Sequence, residues 1–189
     1  CLAVEELSRI CLGVATSDAA SGLGAHPIML YGSSDQKKKY LPQAAKGEIL
    51  GAFSLTEPSA GSDATNLKTR AIKKGDVYLL NGTKAWVTSG SEAEASIIFA
   101  LSEISPEVSK PSAFIVERNF PGVRVAKIEE KMGIHSSLTA EFVLQDCTPS
   151  CVFAGPEYRK MILEAQPKIP SITRCYTLGG GERPEGFFP

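Results

Sequence analysis

The spacing of apolar residues changes once along the chain, near Leu50, and this change limits the folds that the chain can adopt. Before Leu50 the apolar residues recur three or four positions apart, which is the period of one helix face. After Leu50 they alternate or cluster in short runs that proline and glycine separate. Short strands without helices between them are typical of an antiparallel barrel or sandwich. The sequence therefore predicts an α+β fold, in which a helical N-terminal segment precedes an antiparallel β-barrel.

Residues 1–49 form the predicted helical segment. The apolar face of the first helix, over residues 1–22, consists of Leu2, Val4, Leu7, Ile10, Cys11 and Val14. The glycine-containing cluster at 21–24 is expected to end this helix, because glycine is common just past a helix. Ser33 or Ser34 can cap a second, short helix, whose Tyr40 and Leu41 should pack inward.

Residues 50–150 form the predicted β-rich segment. The predicted strands cover residues 68–74, 77–81, 83–89, 96–101, 113–117, 123–128 and 141–145. The pair Gly75-Asp76 is typical of a hairpin, and Gly82 is expected to turn the chain again. Residues 151–189 differ in composition, because prolines and the triglycine at 179–181 oppose a long helix. We expect a degenerate or truncated tail, with two helical turns over 158–165.

Composition excludes several classes of function. The formal net charge of −1 gives no sign of a surface for nucleic acid. No apolar run is long enough to cross a bilayer, and no signal pattern opens the sequence, so we expect a soluble, cytoplasmic protein. The five cysteines contain no Cys-x-x-Cys pair, which argues against a disulfide framework and against a zinc site. We therefore expect no metal and a reducing compartment.

One loop, at residues 53–63, has the composition of a binding loop. Pro58 cannot donate to a sheet ladder, and Gly61 admits unusual backbone angles, so a strand should run here into a tight, exposed turn. Such a turn presents free backbone N–H groups and the hydroxyls of Thr56, Ser59 and Ser62, which suit a phosphate or a polar ring edge. A plain structural turn would use the same residues.

A second segment, Asn81-Gly82-Thr83-Lys84-Ala85-Trp86-Val87-Thr88-Ser89, comes about one hairpin later. Together the two segments resemble the acyl-CoA dehydrogenase family. Its middle domain carries a Leu-Thr-Glu-Pro-x-x-Gly-Ser-Asp loop and then an Asn-Gly-x-Lys-x-Trp-Ile-Thr-Asn strand. The resemblance covers residues 20–150 and implies the end of a helical domain followed by a small β-barrel. It places the protein in the cytoplasm, or in the mitochondrial matrix of a eukaryote.

The resemblance also implies an activity, which is FAD-dependent oxidation of an acyl-CoA thioester to the trans-2-enoyl-CoA. In the family a carboxylate removes the α-proton while hydride leaves the β-carbon for the flavin. The implied partners are an acyl-CoA substrate, an electron-transfer flavoprotein as acceptor, and further copies of the chain in a homo-oligomer. Two alternatives stay open: a non-catalytic flavin- or ligand-binding barrel, and a related flavin oxidase.

Carried over residue by residue, the resemblance implies a set of flavin contacts. They are Phe53, Leu55, Thr56, Gly61, Ser62, Trp86, Val87 and Thr88. Thr56 would reach the pyrimidine edge, Trp86 would pack against the isoalloxazine, and Thr88 would lie near N5. Ser62 would also contact the substrate. Trp86 taken alone is equally typical of a core aromatic.

No catalytic residue is assigned within this sequence. Glu57 is expected to hold its turn, and Asp63 to cap the residues after it. In the family the catalytic glutamate belongs to the C-terminal helical domain, so this chain is expected to be an inactive fragment. His135 stands where the family typically has arginine, and Ser89 where asparagine is common.

Overall fold

The computed structural model describes residues 2–74, 77–105, 108–148, 153–154 and 176–177. Its helices are α1 (Leu2–Ile10), α2 (Leu12–Tyr31) and α3 (Ser34–Ala45). Its strands are β1 (Gly51–Ser54), β2 (Arg70–Lys74), β3 (Val77–Thr88), β4 (Ala95–Ser105), β5 (Val108–Glu117), β6 (Val123–Ile128), β7 (Thr139–Cys147), β8 (Phe153–Ala154) and β9 (Tyr176–Thr177). No helix within the described ranges is long and apolar enough to span a membrane.

The first predicted helix is two helices, and the prediction of its end is wrong. The helix is interrupted at Cys11, and α2 then continues through the glycine cluster to Tyr31. A Cβ on Gly24 would lie 2.6 Å from the carbonyl carbon of Gly51, in β1. Gly24 is therefore needed for close packing of α2 on the sheet, and not for ending the helix.

The predicted cap of the short helix α3 is confirmed. The Ser33 hydroxyl accepts a hydrogen bond from Gln36 N at 3.0 Å, and the Gln36 side chain accepts one from Ser33 N at 2.8 Å. This reciprocal pair is the capping box. Tyr40 is buried as expected, and its hydroxyl donates to Glu117 Oε1 at 2.7 Å. Burial raises the pKa of Tyr40 to about 12, so this link between α3 and β5 is kept throughout the neutral range.

All the predicted strands are present, but the two predicted over residues 77–81 and 83–89 form one continuous strand. Strand β3 is continuous from Val77 to Thr88, so Gly82 does not turn the chain. A Cβ on Gly82 would lie 2.7 Å from Thr69 Cα. Glycine is needed at this position because the segment before β2 passes too close for a side chain. The predicted hairpin at 75–76 and the helical turns at 158–165 lie outside the described residues.

The strands form a curled, mixed sheet, a half-barrel against which the helices pack, so the α+β class is confirmed. Its order is β6-β7-β3-β2-β4-β5-β8-β9, and β1 pairs with β4. The expectation of an all-antiparallel sheet is wrong, because β1 and β2 both run parallel to β4. The same edge of β4 accepts β1 at Ala95–Ile98 and then β2 at Leu101–Ser102.

Two clusters of buried side chains lie on the two faces of the sheet. The cluster inside the curl contains Leu80, Val87, Ile98, Phe114, Val116, Phe142 and Leu144. The cluster facing the helices contains Ile28, Tyr40, Ala95, Ile97, Ala113 and Ile115. Alternation along β4 and β5 divides their apolar residues between the two clusters, as the period of a strand requires.

Candidate functional site

Residues 55–69 form a loop, called here the 55–69 loop, that leaves the sheet and returns to the same strand edge. Ser54, the last residue of β1, lies opposite Ile98 of β4, and Arg70, the first of β2, lies opposite Leu101. The gap between the two ends is therefore three positions on β4, or about 10 Å. A loop of this length across so short a gap must project from the sheet, as compact functional loops do.

Glu57 holds its turn, as the sequence predicted, and it also joins the two ends of the loop. Its carboxylate accepts hydrogen bonds from the backbone N–H groups of Lys68 and Thr69. Its own backbone exchanges hydrogen bonds with Ala60, at 3.0 and 3.1 Å, which closes the turn at Pro58. The side chain of Glu57 is therefore committed to the loop.

Lys84, on β3, is the partner of Glu57. Its ammonium donates to Glu57 Oε1 at 2.6 Å and to the Leu55 carbonyl at 3.0 Å. The side chains of Lys84 and Glu57 are 0% and 2% exposed. Burial lowers the pKa of Lys84. Burial would raise the pKa of Glu57, but the hydrogen bonds from Lys84, Thr69 and Lys68 outweigh it and hold that pKa below its ordinary value.

Trp86 follows Lys84 on β3 and lies at an irregular point of the strand. The pairing of β3 with β7 shifts register between Lys84 and Val87, and Trp86 has φ of 57°. A bulge of this kind redirects one side chain relative to its neighbours. The indole is 60% exposed, although it is the one tryptophan of the sequence. A large aromatic residue in the left-handed region is sterically unfavourable, and such strain is concentrated at functional sites.

One backbone hydrogen bond brings the loop beside this tryptophan. Ala85 N donates to the Thr56 carbonyl at 2.9 Å, so Thr56 and Trp86 are each within one residue of the same bond. The Thr56 and Thr88 hydroxyls make no hydrogen bond within the described part of the chain. Hydroxyl groups can donate to or accept from the polar edge of a planar ring, and an exposed aromatic side chain can stack on its face.

The structure does not gather all eight predicted residues into this site. The Val87 side chain is 1% exposed and belongs to the cluster inside the curl, so only its backbone can face a ligand. The Phe53 ring packs at 5.1 Å on Phe99, beside the cluster that faces the helices. Leu55 contributes its carbonyl to Lys84. The Leu55, Thr56, Trp86 and Thr88 positions therefore form the compact part of the candidate site.

Gly61 and Ser62 lie farther out on the loop. Both are exposed, and a Cβ built on Gly61 would meet no atom within 4 Å. Asp63 caps the next turn, as predicted, because its Oδ1 accepts from Thr65 N at 3.2 Å and from Thr65 Oγ1 at 2.6 Å. These bonds lower the pKa of the Asp63 carboxyl. This tip of the loop is open for contact with a ligand.

Sequence reasoning missed Lys84. Strict alternation would place Lys84 and Trp86 on one face of β3, but the bulge buries the first and exposes the second. The available signal was Glu57, since a carboxylate that holds a turn in a β-rich segment needs a cation or several N–H groups to compensate its charge.

The fold is an α+β module, in which the projecting 55–69 loop and the exposed Trp86 lie at one edge of a curled sheet. The family model of the acyl-CoA dehydrogenase middle domain matches residues 52–147, and that of the acyl-CoA dehydrogenase N-terminal domain matches residues 1–48. The chain belongs to the acyl-CoA dehydrogenase family.

Individual relatives agree with this result. An acyl-CoA dehydrogenase of Bacillus subtilis is 45% identical over 159 residues, which are 82% of this chain and 42% of that protein. An acyl-CoA dehydrogenase of Bacillus anthracis solved in complex with FAD has a TM-score of 0.72 and 42% identity, over 77% of this chain and 25% of that one. The chain spans less than half of the length of the curated relatives it matches.

A third similar structure was described as the electron transferring flavoprotein of Acidaminococcus fermentans, in work on flavin-based electron bifurcation. The matching chain has a TM-score of 0.74 and 48% identity, over 78% of this chain and 39% of that one.

Proposed function

We propose that this chain supplies one wall of the flavin site in an FAD-dependent acyl-CoA dehydrogenase. The observation that carries the proposal is the exposed Trp86, held in a left-handed conformation next to the backbone hydrogen bond that joins Ala85 to Thr56. The relative solved with FAD supports the choice of cofactor. FAD, when bound, would accept the hydride that leaves the β-carbon of the acyl-CoA thioester.

The residues of this chain would bind and orient the two ligands. The Trp86 indole presents a flat apolar face against which a planar ring can stack. The Thr56 hydroxyl and nearby N–H groups would donate to the pyrimidine edge, where fixed donors stabilise negative charge. Thr88 would lie at the other side of Trp86, near N5. We place Gly61 and Ser62, at the open tip of the loop, against the pyrophosphate or the CoA arm, with Ser62 as the substrate contact.

We assign no catalytic residue to the 55–69 loop. A general base needs a free carboxylate within reach of the α-proton. The Glu57 carboxylate is occupied by Lys84 and two backbone N–H groups, and Asp63 accepts from Thr65. Both acids therefore hold the loop in shape.

The partners are proposed on the same basis. An electron-transfer flavoprotein is the proposed electron acceptor, and the similarity to a chain in the Acidaminococcus fermentans structure supports this choice. The acyl-CoA substrate, the homo-oligomer and a cytoplasmic or mitochondrial-matrix location are proposed on the family relation.

The test is a visible absorption spectrum of the purified chain after incubation with FAD and removal of free flavin. We expect a retained flavin band that is shifted from that of free FAD. Trp86→Ala should raise the dissociation constant at least tenfold, because it removes the stacking surface. Met132→Ala is the matched control, since Met132 is another exposed apolar residue but lies outside the site. Equal affinity of Trp86→Ala and the control, or no retained band in the wild-type chain, would contradict the proposal.

A further inference from the structure

The Lys84–Glu57 ion pair is unusual because both charges are fully buried. Removing an ammonium and a carboxylate from water is unfavourable, and apolar residues of similar volume often stabilise a fold as well or better. A buried pair is therefore weak evidence for a role in stability. The hydrogen-bond partners of the pair say more about its role than its burial does.

Most of the hydrogen bonds of the pair reach the 55–69 loop. Lys84 donates to the Leu55 carbonyl at the start of the loop. Glu57 accepts from Lys68 and Thr69 at the end of the loop. Lys84 itself lies on β3, two residues before Trp86. The pair thus joins both ends of the loop to the strand that carries the exposed aromatic residue.

The sheet does not need the pair to set its own register. Strands β2 and β3 pair from Arg70–Asn81 to Lys74–Val77, and β4 pairs with β5 along most of their length, without either side chain. Beyond Asn81, the loop-facing edge of β3 meets loop residues instead of β2, and the hydrogen bonds described there are the Ala85–Thr56 bond and the two bonds from Lys84.

We propose that Lys84 and Glu57 are positioning residues, whose buried ion pair fixes Thr56 beside Trp86 and so sets the geometry of the flavin wall. This inference rests on the proposed function for its ligand, but the positioning itself is a property of the chain. Neither side chain touches the flavin in this proposal, and both act through the loop backbone.

The experiment compares Lys84→Met with Phe114→Ala. Phe114 is fully buried in the cluster inside the curl, so its truncation lowers stability without changing a loop contact. Residue-resolved amide hydrogen exchange is measured for Ala85, Ala60 and Thr69, which report on the loop, and for the amides of β4 and β5.

We expect Lys84→Met to accelerate exchange of the loop reporters at least tenfold more than that of the β4 and β5 amides. Phe114→Ala should accelerate both sets alike. If Lys84→Met does not fold, the double variant Glu57→Gln/Lys84→Met, which leaves no unpaired charge, is measured against the same criterion. A uniform acceleration, or loop amides that exchange as in the wild type, overturns the proposal.

Flavin binding adds a second readout that fold stability alone does not move. Under conditions in which all variants are folded, Lys84→Met should weaken FAD binding at least tenfold while Phe114→Ala binds as the wild type does. Equal affinity in Lys84→Met and the wild type overturns the positioning role. If the wild-type chain retains no FAD, the proposed function fails, and the exchange pattern still decides whether the pair positions the loop.

Discussion

At the scale of single residues, the backbone of Trp86 is the most informative feature. An L-residue in the left-handed region is less stable by roughly 1–2 kcal/mol than in the common regions. A polypeptide keeps such a residue only where the surroundings over-determine its conformation. Here the bulge in β3 and the Ala85–Thr56 hydrogen bond lie directly beside it. The same conformation exposes the indole, whereas regular alternation along the strand would place Trp86 on the same face as the buried Lys84.

This strain predicts that the glycine and alanine variants of Trp86 differ in stability but not in flavin binding. We expect Trp86→Gly to be more stable than Trp86→Ala by about 1 kcal/mol, because glycine adopts positive φ without the Cβ clash. Both variants should lose flavin binding, since both lack the indole. Urea unfolding followed by far-UV circular dichroism gives the difference. An alanine variant as stable as the glycine variant would show that the bulge relaxes when the side chain is removed.

At the scale of elements, the contact between α2 and β1 depends on two glycines. The backbones approach so closely at Gly24 and Gly51 that a methyl group on Gly24 would lie 2.6 Å from one backbone atom and 2.7 Å from another. Backbone atoms in a strand cannot move aside as a flexible side chain can. This contact, together with the Tyr40–Glu117 hydrogen bond, joins the helices to the sheet.

Gly24→Ala should therefore lower the free energy of unfolding by about 1–3 kcal/mol, the range for overpacking. Gly22→Ala is the matched control, two positions away on the same helix, where the nearest atom to a new Cβ is His26 Cε1 at 3.9 Å. That change should stabilise the helix by about 0.5–1 kcal/mol, because alanine is the better helix former. Thermal unfolding of both variants measures this contrast, and two variants of equal stability would contradict it.

Local chemistry made α3 predictable, whereas non-local packing hid other features. The capping box at Ser33 and Gln36 lies within four residues, so the sequence alone reveals it. Gly24 and Gly82 look like a helix end and a turn, but each is explained by a segment distant in sequence, Gly51 and Thr69 respectively. The parallel pairing of β1 and β2 with β4 depends on chain paths that no local pattern records.

The sequence likewise revealed the local features of the candidate site but not those that depend on a distant strand. The 55–69 loop and Trp86 stand out by their composition and by the family resemblance. The burial of Val87 follows from alternation along β3, but the bulge that separates Lys84 from Trp86 does not. A register shift depends on the partner strand, here β7, and a single sequence carries little information about it.

At the scale of the whole molecule, the buried ion pair makes stability depend on pH in the acid range. The pKa of Glu57 is lowered in the folded chain, so the unfolded state binds a proton at a higher pH than the folded state does. The stability contributed by this carboxylate is complete above the pKa of an unfolded glutamate, about 4.3, and is lost as the pH falls through the lower folded value.

Acid unfolding should therefore be steeper in the wild-type chain than in Glu57→Gln. We expect the difference in unfolding free energy between the two proteins to be constant above about pH 5 and to shrink below the unfolded pKa of about 4.3. Urea unfolding at a series of pH values gives this difference. Asp63→Asn is the comparison on the same loop: the pKa of Asp63 is lowered as well, but its side chain is exposed, so this variant should change the pH dependence less than Glu57→Gln does. A difference that stays constant down to pH 2 would show that Glu57 does not govern acid stability.

The manner in which β4 accepts β1 and then β2 has a consequence for protein engineering. Both ends of the 55–69 loop are fixed to one strand edge, three positions apart and running in the same direction. We expect a loop of different sequence that keeps the buried Ala60, Leu67 and Thr69 to leave the register of the flanking strand pairs unchanged. A graft that keeps Glu57 and Lys84 would present its new side chains at the same place beside Trp86. The shared edge of β4 thus makes the half-barrel a candidate scaffold for loop exchange.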